Sequence, residues 1–365
     1  MKSKLFSPIT VGGLELSNRI VIAPMCQYSA EDGLMNDWHL IHLGTLANSG
    51  AGVLTIEATA VVPEGRISYG DVGLYNDACE AAMGRVLEGV RRWSDMPIAL
   101  QLAHAGRKAS SHKPWDGGAQ ISRNDPNGWQ TVAPSDIPYL PEYEAPESLD
   151  AEGLERLRKA FRDATVRAAR LGLDAIQIHG AHGYLLHEFL SPISNRRTDA
   201  YGGSFENRIR FPLEIFEIVR EAFPSDRPIT MRLSGSDWVD GGWNIEETVA
   251  FSKVLEAAGA SAIHVSGGGL SADQTLALGP NYQVPFARAV KDAVDIPVVA
   301  VGLITEFEQA EAILNTGEAD LIGIARAILY DPRWPWHAAA HFGDTAKAAN
   351  QYLRCAPRRF KTLFG

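Results

Sequence analysis

Cysteine is scarce in this sequence. Only Cys26, Cys79 and Cys355 occur in 365 residues, at spacings that suggest neither a disulfide framework nor a zinc ribbon. No run of Lys and Arg forms a basic patch, and the net charge of −10 argues against nucleic acid and anionic membranes as partners. Long apolar runs are missing too: nothing reads as a bilayer span, and the opening MKSKLFSPITVGG lacks the apolar centre of a secretory signal. No Ser/Gly/Pro-rich linker or low-complexity segment divides the chain. These absences predict a reduced, soluble, cytoplasmic protein with one domain over residues 1–365, and 45% hydrophobic content suffices for a large core.

What is present centres on IQIHGAHGYLLHEFLSPISNRRTDAYGGSFENRIR, residues 176–210. A short buried strand from Ala175 delivers His179, His182 and Tyr184 in quick succession. A polar loop with Asn195, Arg196, Arg197, Asp199 and Gly202-Gly203 follows, and Ser204 then caps an amphipathic helix burying Phe211, Leu213, Ile215, Phe216 and Val219. Strand, loop and helix make one unit of a parallel α/β protein, in which ligands gather at strand C-terminal ends. One histidine there could be structural; two beside a tyrosine argue for chemistry. Catalytic zinc wants three suitable protein ligands, and no further cluster with metal spacing is visible, so no metal is expected. Two imidazole N–H groups can instead grip one carbonyl or nitro oxygen and stabilise charge developing on it, with Tyr184 supplying a proton.

The remaining chain repeats the alternation. A hairpin over Ile9 to Leu16, turning at Gly12-Gly13, is placed to plug the bottom of a barrel. Strands are predicted at Arg19–Ala23, Val53–Ala58, Ile98–Ala103, Ala175–Ile178, Pro228–Leu233, Ala262–Ser266, Ile296–Val301 and Asp320–Ala325. Helices are predicted at about His39–Asn48, Ala78–Trp93, Asp150–Leu171, from Ser204, at Ile245–Ala258 and Thr305–Asn315, and from Arg326 towards Ala340. Residues 104–148 form an excursion rich in Gly, Pro, Trp and Ser, too long for an ordinary connection and suited to a lid. Residues 350–365 form a basic, irregular tail. Eight strands alternating with helices predict a (β/α)₈ TIM barrel; a doubly wound open sheet is the alternative, disfavoured because no G-x-G-x-x-G turn follows the first strand.

In such a barrel the strand ends converge. Cys26, Tyr28, Ala58, Gln101, His104, His179, His182, Arg232, Ser266 to Gly269, Gly302 and Ala325-Arg326 would share one mouth. The glycines after strands six and seven, with the helix opening at Arg326, suit a phosphate, although Gly267 to Gly269 alone would read as a flexible turn. Gln101 and Arg232 suit the polar edge of a flat heterocycle. Phosphate plus a flat redox ring points to FMN.

The segments LSNRIVIAPMCQYS (16–29), EATAV (57–61), QLAHAGRKA (101–109), HGAHGYLLHEFLSPISNRRTDAYGGSFENRIRF (179–211) and DLIGIARAILYDP (320–332) resemble the Old Yellow Enzyme family, in particular its thermophilic-like bacterial branch of NADPH dehydrogenases and xenobiotic reductases. The resemblance extends over nearly the whole chain. It implies a barrel holding non-covalent FMN, reduced by NADPH or NADH and reoxidised by an alkene conjugated to a carbonyl, nitro or similar group. It places Pro24, Met25, Cys26 and Ala58 against the flavin ring, Gln101 and Arg232 at its pyrimidine edge, and Gly302, Ala325 and Arg326 by the phosphate. His179 and His182 would bind the substrate oxygen, Tyr28 would line the pocket and Tyr184 would donate the proton. Ala325 stands where many relatives have Gly. Phenols are expected to bind, and Arg354 is expected to reach a partner's pocket in a homodimer or homotetramer.

Two other classes fit parts of the pattern. A phosphate-binding barrel lyase or aldolase could use His179 and His182 as acid and base, but its Schiff-base form needs a lysine in the barrel mouth, and PITMRL, AIHVS and IPVVAV contain none. A flavin-binding sensor would have little use for Tyr184.

Overall fold

The computed structural model describes residues 2–364; Met1 and Gly365 lie outside the described residues. The chain opens with a hairpin, β1 (Ile9–Val11) against β2 (Leu14–Leu16), whose register pairs Ile9 with Leu16. At the turn Gly12 has φ 50°, and a Cβ there would lie 2.4 Å from Ser261 Oγ, so only glycine lets the hairpin seat against the barrel floor.

The barrel follows as β3 (Ile20–Ile22), α1 (Asp37–Ala47), β4 (Val53–Ala60), α2 (Asp77–Arg91) and β5 (Ile98–Ala103). Beyond β5 comes the excursion, where β6 (Val132–Ala133) pairs in parallel with β7 (Glu147–Ser148). Then come α3 (Ala151–Arg170), β8 (Ala175–Gly180), α4 (Leu185–Leu190), α5 (Phe205–Ala222), β9 (Ile229–Ser234), α6 (Ile245–Ala257), β10 (Ala262–Ser266) and α7 (Val284–Lys291). β11 (Val298–Ala300), α8 (Phe307–Asn315), β12 (Leu321–Ile324), α9 (Arg326–Tyr330) and α10 (Trp334–Phe342) complete it. β3, β4, β5, β8, β9, β10, β11 and β12 close into a parallel barrel, the (β/α)₈ architecture the pattern predicts. No helix among the described residues is long and apolar enough to cross a membrane.

Strand alternation sets what the interior contains at each height. The lowest layer is apolar apart from Thr230: Val21, Val53, Ala99, Ala175, Ala262, Val299 and Leu321 pack with Val11 and Leu16 of the hairpin, which plugs the floor as expected. Two residues further along the strands the side chains are Gln101, Gln177, Arg232 and His264, all buried. One more step reaches His179, Ser234 and Ser266. The β4–β5 register slips between Ile56 and Ala58, so Glu57 is a bulged residue, a device that re-aims side chains beside sites.

Differences from the predicted elements are local. α4 is buried on every face, so it shows no amphipathic period and was expected as loop. α7 was also missed, opening as it does with Val284-Pro285 after a Gly-rich stretch. The helix expected from Arg326 to Ala340 is two helices, interrupted at Asp331-Pro332 because proline cannot continue the ladder. The excursion is anchored at its start: Arg107, 5% exposed, donates from Nη2 to Leu270 O at 2.8 Å and from Nη1 to Ile137 O at 3.2 Å. The tail also has a place. Trp336 packs against Tyr352 and Phe364 at centroid distances of 5.8 and 4.8 Å, and Arg333 lies 4.3 Å over the Trp336 ring.

Candidate active site

The turn from Ala181 to Tyr184 is held from three sides. His182 (φ 61°) and Gly183 (φ 73°) are left-handed, and a Cβ on Gly183 would lie 2.2 Å from Gly269 O, so the loops after β8 and β10 cross only through glycine. His182 N–H donates to Ser234 Oγ at 3.0 Å, and Gly183 N–H donates to His187 Nδ1 at 2.9 Å. His187 Nε2 in turn faces Asp237 Oδ1 at 2.8 Å, both residues fully buried, while Asp237 Oδ2 accepts from Ser191 and from Trp243 N–H. Lys108 Nζ donates to the carbonyls of His182 and Gly269 at 2.9 and 2.8 Å. Burial lowers Lys108 to about 8.

This bracing brings the two histidines together edge to face. His179 Nε2 lies 3.4 Å from His182 Nδ1, with the rings perpendicular and their centroids 5.1 Å apart. Ala181 N–H donates to His179 Nδ1, which leaves the proton on Nε2; Ser266 Oγ lies 2.7 Å from His182 Nε2, and a hydroxyl donating there leaves the proton on Nδ1. With those tautomers the two N–H groups stand 3.4 Å apart, close enough for one acceptor oxygen to take both. Burial holds both imidazoles well below their usual pKa, with Arg232 adding to the effect, so they are neutral donors at neutral pH.

Tyr184 caps α4 and stands edge-on to His179 at 5.0 Å, with Lys108 Nζ 5.2 Å from its ring centroid. Burial, reinforced by Cys26, Tyr28 and Asp71, raises its phenol well above the ordinary value and keeps it protonated. Tyr28 (φ 52°) meets Trp115 of the excursion edge-on at 6.0 Å, so the excursion borders the mouth. Pro24, Met25 and Cys26 leave the end of β3 partly buried. Ala58 follows the Glu57 bulge on β4.

A cavity of about 260 Å³ opens beside His182 and Ser266 and is lined by Arg232, Gly302, Ala325 and Arg326. Gly302 has φ 126°, a conformation that L side chains rarely adopt. Arg232 is 8% exposed, its Nε has no partner, and burial lowers it to about 10. A buried guanidinium without an acceptor is costly, and an electron-rich ring edge beside an anionic group would supply what it lacks. Gln101 donates from Nε2 to Gln177 Oε1 at 2.8 Å, which leaves its carbonyl free. The residues present therefore fit FMN. Within the expected glycine run only Gly267 lines the cavity; Gly269 instead packs on His182, where a Cβ would lie 2.6 Å from the carbonyl oxygen.

Several site residues escaped sequence reasoning. Gln177 and His264 form a polar interior row with Gln101, His264 Nδ1 lying 3.2 Å from Gln177 Nε2; alternation along AIQIHG and AIHVS carried that signal. Ser234 and Lys108 brace the histidine turn without any motif of their own, joined by Ser266, which the strand-end reading does place at the mouth. Cys26, Glu57 and Asp71 come from three separate segments, yet each offers an atom within 4.8 Å of the others, a cluster that linear spacing did not show. Arg354 lies elsewhere. It is exposed on a 3-10 turn over Asn350–Cys355, whose first residues line a cleft with Ala51 and Pro97 at the opposite end of the barrel.

Comparison with known proteins agrees with this geometry. Residues 4–344 match the model of the NADH:flavin oxidoreductase / NADH oxidase family. The chain is 42% identical over 356 residues to an NADPH dehydrogenase of Geobacillus sp. (strain WCH70), covering 97% of this chain and 99% of the relative. It is 41% identical to an NADPH dehydrogenase of Bacillus cytotoxicus, again over 97% of each. Among solved structures, morphinone reductase in complex with tetrahydroNAD superposes with TM-score 0.76 at 26% identity, covering 99% of this chain and 94% of that one. An old yellow enzyme homologue from Zymomonas mobilis gives TM-score 0.74 at 26% identity over 91% of each chain.

Proposed function

The chain belongs to the NADH:flavin oxidoreductase / NADH oxidase family, the Old Yellow Enzyme family, and from that premise we propose that this FMN-dependent NAD(P)H oxidoreductase reduces alkenes conjugated to a carbonyl, nitro or imide group. The observation that carries the reading is the convergence of His179 Nε2 and His182 Nδ1 across 3.4 Å. Two neutral N–H donors this close together suit donation to one oxygen that gains negative charge during reaction. FMN held here would supply hydride transfer from NADPH or NADH to the alkene.

The protein's own groups divide the remaining work. Arg232 and Gln101 hold the ring edge, while Gly302, Ala325 and Arg326 hold the phosphate. Pro24, Met25, Cys26 and Ala58 pack the ring, and Tyr28 closes the mouth. The histidines orient the alkene, and Tyr184, kept protonated by its surroundings, gives a proton to the carbon that does not receive hydride. Nicotinamide and alkene use the same place, so turnover alternates between them and excess alkene inhibits. Phenols bind there because a phenolate resembles the enolate-like oxygen the histidines favour.

Support for a homo-oligomer comes from Arg354, a cation carried out of reach of its own chain's site on an anchored tail, where it suits insertion into a partner's pocket near Tyr28. Sedimentation and KM of the full chain against one ending at Asn350 test this; unchanged mass and KM would rule it out. The lyase alternative loses ground because the chain matches the NADH:flavin oxidoreductase / NADH oxidase family over residues 4–344. Mixing anaerobic, NADPH-reduced holoenzyme with cyclohexenone tests the main reading. Rapid flavin reoxidation with formation of cyclohexanone is expected, and flavin that stays reduced would overturn it.

A further inference from the structure

Beside Tyr184 lies a group of ionisable side chains of which the proposed reaction uses only Cys26, as packing for the ring. Asp71, 1% exposed, sits in the loop after β4; its Oδ2 accepts from Ser68 N–H, while its Oδ1 has no partner. Cys26 from the β3 end and the bulged Glu57 of β4 bring their side-chain atoms within 4.8 Å of it. Gln27 N–H donates to Glu57 Oε2 at 2.9 Å, and His39 Nε2 of α1 lies 3.6 Å from Glu57 Oε1. Asp71 and Tyr184 line one small cavity together with Arg66, Ala60 and Ala105. Its volume, about 10 Å³, is the space of roughly one water.

Tyr184 needs such a neighbour. When it gives up its proton it becomes a phenolate in a place where burial opposes negative charge. A proton arriving from behind as the first one leaves would prevent that charge from building. Resting on the reading of Tyr184 as donor, we propose that Asp71 is a proton-relay residue that resupplies Tyr184 through a water molecule in the shared cavity. The Tyr184 O–H bond breaks as its proton passes to the alkene carbon. The water gives a proton to the phenolic oxygen and takes the carboxyl proton of Asp71. Tyr184 ends neutral and Asp71 ends as a carboxylate, which solvent reprotonates before the next alkene arrives. No group in the relay changes oxidation state.

The surroundings suit this role. Burial raises Asp71 to about 6 against the pull of Ser68 and Arg66, which makes it a far better match to a donor at neutral pH than an exposed carboxyl. Burial also raises Glu57 and Cys26, so both face Asp71 in neutral form, and His39 and His104 nearby are lowered to about 4 and stay uncharged. Arg66 is the one cation on the same loop facing this group. A cluster in which burial raises every member suits proton exchange better than a divalent cation, which needs deprotonated ligands.

The test follows reoxidation of NADPH-reduced holoenzyme by cyclohexenone in single turnovers across pH. In the wild type the rate falls as pH rises through about 6, where Asp71 loses its proton. Asp71→Asn removes that limb and slows reoxidation roughly tenfold or more, with a smaller effect on flavin reduction by NADPH. Ala60→Val, which fills the cavity and keeps Asp71, slows reoxidation in the same direction. An Asp71→Asn rate and pH profile equal to wild type, with Tyr184→Phe still slow, would overturn the relay and leave the donor reading intact. A Tyr184→Phe enzyme as fast as wild type would overturn the donor reading itself. Should Asp71→Asn fail to fold, the infrared carboxyl band of wild-type holoenzyme carrying isotope-labelled aspartate decides: a protonated aspartate titrating near 6 is expected, and none above the ordinary range overturns the proposal.

Discussion

The two ends of the barrel are built on the same strands and treat polar atoms in opposite ways. At the floor, Val11 and Leu16 meet Val21, Val53, Ala99 and Leu321, an apolar layer whose one hydroxyl, that of Thr230, donates to Ile176 O at 3.5 Å. At the mouth, Arg232 Nε, His264 Nε2, His104 Nε2 and Asp71 Oδ1 are buried and have no partner. Native proteins rarely tolerate such atoms, because each costs about 1–3 kcal/mol unless something pairs with it. The contrast separates stability from function along one axis. The floor closes the fold, and the mouth keeps polar atoms that a bound group can pair with.

The largest expected effect comes from breaking the mouth at its centre. His179→Ala removes one of two converging donors and should slow reoxidation by enone roughly 10²–10³-fold, with a smaller loss in reduction by NADPH. Rapid-mixing absorbance of the two half-reactions measures both. Equal losses would show that the histidine holds the fold or the flavin instead.

Breaking the floor should do the reverse. Leu16→Ala opens a hole in the plug and should cost about 2–5 kcal/mol of stability, read as a lower denaturation midpoint, while kcat stays near wild type. A Leu16→Ala enzyme of normal stability and poor turnover would dissolve the distinction between the two ends.

A subtler test lies between them, at Glu188 of α4. Burial raises this carboxyl from its ordinary 4.5 to about 8, against the pull of Arg107, whose N–H donates to Oε1 at 2.9 Å. The folded state therefore binds a proton that the unfolded state has lost. The stability this proton contributes is full below about 4.5 and disappears as pH rises towards 8. Glu188→Gln cannot ionise and should flatten that decline, as urea midpoints at about pH 5 and pH 8 would show. An unchanged slope would mean that Glu188 is already ionised in the fold.

The floor was nearly transparent to sequence reading, and the mouth only in part. The hairpin over Ile9 to Leu16 and the β8 run AIQIHG are legible because period-two alternation and paired glycines are local properties. His179, His182 and Tyr184 are legible because one strand end presents them all. The partnership of Cys26, Glu57 and Asp71 is not, since a bulge, two loops and barrel closure must form before the three meet. α4 was invisible for a different reason: a helix buried on all sides has no polar face, and its His187 and Glu188 are pointed inward by Asp237 and Arg107.

The most direct measurement is a crystal structure of the oxidised holoenzyme with a bound phenol. The phenolic oxygen should lie within about 2.6–3.2 Å of both His179 Nε2 and His182 Nδ1, with Arg232 directed at the flavin edge. A phenol bound away from the histidines, with both imidazoles bonded only to protein, would contradict the account.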